Sequence, residues 1–213
     1  DFCLSRGLGD VYKRQDYYYR KNGNHYSDGS GCGNETASER AMMRKYIVDS
    51  VVYWATEYHI DGFRFDLMGV HDLDTMKAVR KALDQVNPDI MVYGEGWTGG
   101  ESALPAAQQA TKNNIYRLDR VGAFSDDIRD GIKGSVFDFL DKGFVSGKDD
   151  MEENIKFSVV AATPHSQVTL TKAGDKCTNW SGQPGQSINY ISCHDNLTFW
   201  DKLAISNADD SDC

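Results

Sequence analysis

The sequence predicts an α/β fold with parallel strands, and two observations carry that prediction. Apolar, strand-length runs occupy residues 60–67, 90–97 and 188–196, and each finishes in or beside charged side chains. The first two are each preceded by a stretch with three- and four-residue apolar spacing, the period of an amphipathic helix. An alternation of helix and strand is the rhythm of a parallel sheet covered by helices.

Composition bounds the rest. The chain has 213 residues, 40% of them hydrophobic, enough for one sizeable core within the range of a single α/β domain. No apolar run reaches the roughly 18 residues of a membrane-spanning helix, and no charged stretch followed by an apolar one marks a signal peptide. Lys and Arg number 23 against 32 Asp and Glu, a net charge of -9. That balance argues against a polyanionic partner, so nucleic acid is not expected, and the lack of a long apolar run gives no expectation of a membrane. Cys3, Cys32, Cys177, Cys193 and Cys213 are odd in number and lack C-x-x-C spacing, which suggests neither a zinc site nor a disulfide framework. The compartment stays open.

In chain order, residues 3–15 have no helical or strand period and resemble translated adapter read-through, so residues 1–15 are set aside as a non-native segment. Residues 16–34 are rich in Tyr, Gly, Asn and Ser and read as a long loop. Its aromatic trio Tyr17, Tyr18 and Tyr19 suits either stacking on a flat ligand or surface packing. Thr36 and Glu39 match a capping box, and Met43, Ile47, Val51, Trp54 and Tyr58 then recur at helical spacing, predicting a helix over about 37–58. Asp72 or Asp74 can cap a second helix with the stripe Leu73, Met76, Val79, Leu83 and Val86, ended by Asn87-Pro88. A further strand is expected over Tyr116 to Phe124, with a short helix to Lys133 capped by Ser125. The Gly-, Asp- and Lys-rich connection 134–187 holds a helix near 150–160.

The chemistry gathers where the strands end. In the run His59-Ile-Asp-Gly-Phe-Arg-Phe-Asp-Leu-Met-Gly69, the strand period of two places Gly62, Arg64 and Asp66 on one face and Phe63, Phe65 and Leu67 on the other. Opposite charges on a core strand suit either a functional site or a buried ion pair stapling the strand. The second strand ends in Glu95, Gly96 and Trp97, and the third in His194 and Asp195. Asp66 and Glu95 are 29 residues apart, about one βα unit, so both are expected at the C-terminal ends of neighbouring parallel strands. In a (β/α)8 barrel, chemistry takes place at that end.

GFRFDLMG (62–69), YGEGW (93–97) and SCHDN (192–196) resemble, in this order, three signature regions of the α-amylase superfamily of glycoside hydrolases. With GNETASER (33–40) and AFSDDIRDGIKGSVFD (123–138), the wording is similar to bacterial type I pullulanases over about residues 16–205. The resemblance implies a partial (β/α)8 TIM barrel, about strands 4 to 7, so that residues 16–213 form an incomplete catalytic domain. Strands one to three and eight, the first signature region and the N-terminal domains of a parent chain are expected elsewhere, and this stretch alone is expected to be inactive. The implied activity is retaining hydrolysis of α-1,6 branch linkages in pullulan, glycogen and starch dextrins. It assigns Asp66 as nucleophile, Glu95 as general acid/base and Asp195 as transition-state stabiliser, with Arg64, His194 and Trp97 contacting the α-glucan.

The mechanism has a physical argument of its own. A retaining glycosidase needs two carboxyl groups about 5 to 5.5 Å apart across the scissile bond. Asp66 must be ionised, which Arg64 on its strand face favours. Glu95 must begin protonated, a state favoured by nearby carboxylates and partial burial, with Trp97 as an apolar wall. The alternatives are an α-1,4-acting hydrolase or glucanotransferase, a non-catalytic glucan-binding module stacking on aromatics, and a Mg²⁺ or Ca²⁺ site on Asp66, Glu95 and Asp195. Retention of all three carboxylates argues against the binding module, and Arg64 counts against a cation. The pattern requires no cofactor and leaves structural calcium in the loops open.

Overall fold

The computed structural model describes residues 17–174 and 177–208. The segment set aside at the N-terminus, Cys3, Cys213 and the acidic run 209–212 lie outside the described residues. The chain divides into two compact units, one up to Val121 and one from Gly122. Among the described residues, no helix is long and apolar enough to cross a membrane.

The first unit opens with a small antiparallel hairpin, β1 (Lys21–Asn22) and β2 (His25–Tyr26), inside the segment expected to be loop. Gly23 turns it at φ 61, a conformation that costs glycine little. Helix α1 spans Ala41–Glu57, strand β3 Gly62–Phe65, helix α2 Leu73–Val86 and strand β4 Met91–Gly94. Strands β3 and β4 pair in parallel, with Arg64 opposite Tyr93 and Phe65 opposite Gly94. The expected parallel rhythm is present here, and α1 packs against α2.

Helix α2 follows its sequence closely. Asp72 accepts a hydrogen bond from the Thr75 N–H at 3.0 Å, capping an otherwise orphan donor. Leu73, Met76, Val79 and Leu83 are buried along one stripe, whereas Val86 at the last turn is exposed.

Helix α1 departs from expectation at both ends. It begins at Ala41, and its N-cap residue Arg40 makes no side-chain cap. Of the proposed capping pair, Glu39 binds Arg20 at 2.8 Å, and Thr36 lies ahead of the helix with its backbone bridged to Tyr19. Ile47, Val51 and Ala55 are the buried face, while Trp54 and Tyr58 are exposed and pack on each other with ring centroids 4.6 Å apart. The tyrosine trio takes the packing role: Tyr17 and Tyr18 meet edge-on, and the Tyr17 hydroxyl accepts from the Met42 N–H at 3.1 Å.

The second unit contains β5 (Gly122–Ser125), α3 (Asp126–Lys133), α4 (Glu152–Val159), the single turn α5 (Leu170–Ala173), β6 (Ser187–Asn189) and α6 (Phe199–Ser206). Strands β5 and β6 are parallel, with Ala123 opposite Ser187. Residues Lys112–Arg117 form a 3-10 helix, so the strand expected over 116–124 is confined to its end. Ser125 precedes α3 without capping it, and its hydroxyl is buried with no hydrogen-bond partner. Helix α6, which the sequence pattern does not predict, is capped by Thr198, whose hydroxyl accepts from the Asp201 N–H at 3.3 Å.

Candidate active site

The ends of β3 and β4 bring two of the three expected carboxylates under one guanidinium. Arg64 Nη2 donates to Glu95 Oε1 at 2.8 Å, and Nη1 donates to Asp66 Oδ1. The second Glu95 oxygen accepts from the Leu67 N–H at 2.7 Å. Glu95 is buried, whereas the Asp66 side chain is 73% exposed. One carboxylate is thus held rigidly in the protein and the other presented to solvent, a division of environments that gives two similar acids different chemistry. Both Glu95 oxygens act as acceptors here. The sequence pairs Arg64 with Asp66, and in the structure it binds Glu95 as well.

Backbone geometry aims these groups. Leu67 adopts φ 41 and ψ 50, the left-handed region that a branched side chain disfavours, at a cost of about 1–3 kcal/mol. That turn points its N–H at Glu95. Beyond it, the Gly69 N–H donates to the Glu95 and Trp97 carbonyls at 3.2 and 3.1 Å. A Cβ on Gly69 would sit 2.4 Å from the Trp97 carbonyl oxygen, so only glycine permits this approach. The Trp97 residue itself is half-buried.

A buried charge cluster supports the loop that follows Glu95. Arg20, 4% exposed, pairs with Glu35 at 3.0 Å and Glu39 at 2.8 Å, and donates to the Val70 carbonyl at 3.2 Å. Ser102 donates to Glu35 at 2.9 Å, which ties the loop after β4 to this cluster. The stretch 33–40 therefore acts as a clamp, with Ser38 Oγ donating to Asp72 Oδ2 at 2.7 Å. Next to it His71 is held neutral, its pKa pushed down to about 4 chiefly by burial. Sequence reasoning missed Arg20; an arginine directly after a tyrosine run carries no signal of its own.

In the second unit, β6 ends at Asn189, so His194 and Asp195 sit in irregular chain five residues beyond the strand that was expected to carry them. This stretch is anchored at both sides. Arg129 donates to the Tyr190 hydroxyl at 2.8 Å, burial having pushed that phenol up to about 12. Lys133, 1% exposed, donates to the Leu197 carbonyl at 2.9 Å. Between the anchors the side chains of His194 and Asp195 are 68% and 54% exposed, with His194 Nε2 3.4 Å from Asp195 Oδ2. The two helix cations that hold this loop, Arg129 and Lys133, were not singled out in the sequence.

No protein-family model matches the chain. Among curated proteins, it is 35% identical to a pullulanase of Bacillus subtilis over 212 residues, 95% of this chain and 28% of the relative. A chloroplastic pullulanase of Arabidopsis thaliana is 30% identical across 89% of the chain and 24% of its own length. Among solved structures, the pullulanase of Paenibacillus barengoltzii in complex with maltohexaose and α-cyclodextrin superposes with a TM-score of 0.82 at 44% identity. It covers 92% of this chain and 29% of that one. The type I pullulanase of Bacillus subtilis complexed with maltose gives 0.83 at 36% identity, over 92% and 26%. The chain thus spans under a third of the length of these relatives.

Proposed function

We propose, from the premise that this chain belongs to the pullulanases of the α-amylase superfamily, that it carries the reacting carboxylates of a retaining glycoside hydrolase acting on α-1,6 branch linkages of α-glucans. The observation that supports it most is the single guanidinium of Arg64 joining Asp66 and Glu95 where two parallel strands end. In this reading the Asp66 carboxylate attacks the anomeric carbon while protonated Glu95 gives its proton to the leaving glycosidic oxygen. Water, deprotonated by Glu95, then releases the sugar from Asp66 with net retention.

Asp195, His194 and Trp97 take their roles in this proposal from the motifs: Asp195 to stabilise positive charge at the transition state, His194 to donate to the sugar, Trp97 to line its site. The assignment of the strands as numbers four to seven of a (β/α)8 barrel, and of further barrel strands and domains as partners of this stretch, rests on the same resemblance. The α-glucan ligands named for the relatives, maltohexaose and maltose, support the substrate class.

The test replaces the matching stretch of the Bacillus subtilis pullulanase with residues 17–208 of this chain. Reducing-sugar release from pullulan and from linear amylose is then compared. The proposal expects turnover of pullulan in preference to amylose, reduced about 10²–10⁴-fold by Glu95→Gln. A folded graft that is inactive, or one indifferent to Glu95→Gln, removes it. Preferential turnover of amylose keeps the two-carboxylate mechanism and overturns the linkage.

A further inference from the structure

We infer that Cys193, His194 and Asp195 form a site for a borderline-soft divalent cation of the Zn²⁺ class. Three consecutive residues supply one sulfur, one imidazole nitrogen and one carboxylate oxygen, and these donor atoms lie within 4.8 Å of one another. In an extended strand, consecutive side chains point to opposite faces and could not converge. Here the strand has already ended at Asn189 and the chain bends at residues 194–196, so strand alternation does not apply and the three donor atoms lie together.

The backbone beneath them is fixed. The Phe199 N–H donates to Ser192 Oγ at 2.9 Å, and Cys193 Sγ lies 3.4 Å from the Asp195 carbonyl oxygen. All three donor residues are exposed. Zinc bonds of about 2.0–2.3 Å imply donor separations of roughly 3.3–3.8 Å, a contraction that side-chain rotation supplies. A thiolate with an imidazole selects Zn²⁺ or its neighbours over Mg²⁺ and Ca²⁺, which prefer oxygen ligands. Binding replaces the Cys193 S–H proton, released to solvent, by a sulfur–metal bond, and the fourth position is left to water. Counting cysteines in the sequence did not reveal this set, because that count looks for paired cysteines.

The consequence for activity rests on the reading in the preceding subsection. If His194 and Asp195 serve the sugar, a metal that occupies them blocks substrate, and Cys193, outside that machinery, makes the enzyme metal-sensitive.

The test adds Co²⁺, then Zn²⁺, to the reduced 213-residue chain and follows the thiolate-to-cobalt charge-transfer absorption. One Co²⁺ per chain is expected, displaced by Zn²⁺, with the band lost in Cys193→Ser. Affinity should fall in His194→Ala by at least the about 10–100-fold that losing even a supporting partner costs a metal site. Absence of the band, or its survival in Cys193→Ser on another cysteine, overturns the site. In the grafted enzyme, Zn²⁺ should inhibit pullulan hydrolysis, and Cys193→Ser should relieve that inhibition with basal turnover unchanged. Binding with no hydrolysis by a folded graft leaves the metal site standing and removes the glycosidase reading; hydrolysis without the band does the reverse.

Discussion

Arg64 and Glu95, from adjacent parallel strands, share a 2.8 Å hydrogen bond, and the same guanidinium also holds Asp66. The arginine is half-buried and the glutamate buried, so the bond lies where water screens it little. It couples the geometry of the two carboxylates to one flexible side chain.

Removing that side chain should cost activity far more than fold. Arg64→Ala is expected to lower kcat/KM on pullulan in the grafted enzyme by about 10²–10³-fold, as for loss of one charge-stabilising donor, with Arg64→Lys recovering part of it. Steady-state kinetics on the three proteins checks this. Equal activity in Arg64→Ala would make the ion pair a strand staple.

The close approach at Gly69 should be intolerant of a single methyl. Gly69→Ala drives a Cβ to 2.4 Å from the Trp97 carbonyl oxygen, a backbone atom that cannot rotate away. Destabilisation of about 1–3 kcal/mol is expected from urea unfolding midpoints at unchanged slope.

Breaking the buried cluster should be costlier. Arg20→Met leaves Glu35, 2% exposed, without its cation, and a loss of about 3–5 kcal/mol is expected. A double substitution, Arg20→Met with Glu35→Gln, should recover part of that loss. Thermal unfolding of both variants decides it, since a purely steric effect of the arginine replacement would give no recovery.

His71 should make stability fall in mild acid. Its folded pKa of about 4 lies below its ordinary value of 6.5, so the unfolded chain takes up a proton first as pH drops. The contribution is therefore complete above about pH 6.5 and is lost as pH falls through about 4. Its enclosed Nδ1 has no hydrogen-bond partner, though the residue as a whole is only half-buried, which limits the effect to roughly 2 kcal/mol. The slope of stability against pH between 6.5 and 4 should flatten in His71→Phe.

How far the sequence could be read depended on how local the cause was. Helix α2 was legible to its cap because Asp72 satisfies Thr75 three residues away and its apolar stripe needs only the helical period. Glu39, three residues after Thr36, had the same local signature and failed as a cap, because Arg20 from another segment competes for it with charge as well as a hydrogen bond. Trp54 and Tyr58 matched the period of α1 yet lie exposed, since periodicity selects a face without saying what covers it.

The candidate site divides along the same line. By itself the sequence determined the parallel alternation, the placing of Asp66 and Glu95 just past the ends of two neighbouring strands and the family wording that points to two carboxylates, because strand period and motif order are properties of the chain. Only the tertiary structure decided that Arg64 reaches Glu95 as well as Asp66, that Leu67 turns left-handed to hold the other oxygen, and that Cys193, His194 and Asp195 gather beyond the end of β6. Hydrogen bonds across 28 to 31 residues depend on how segments meet in space, which no local spacing encodes.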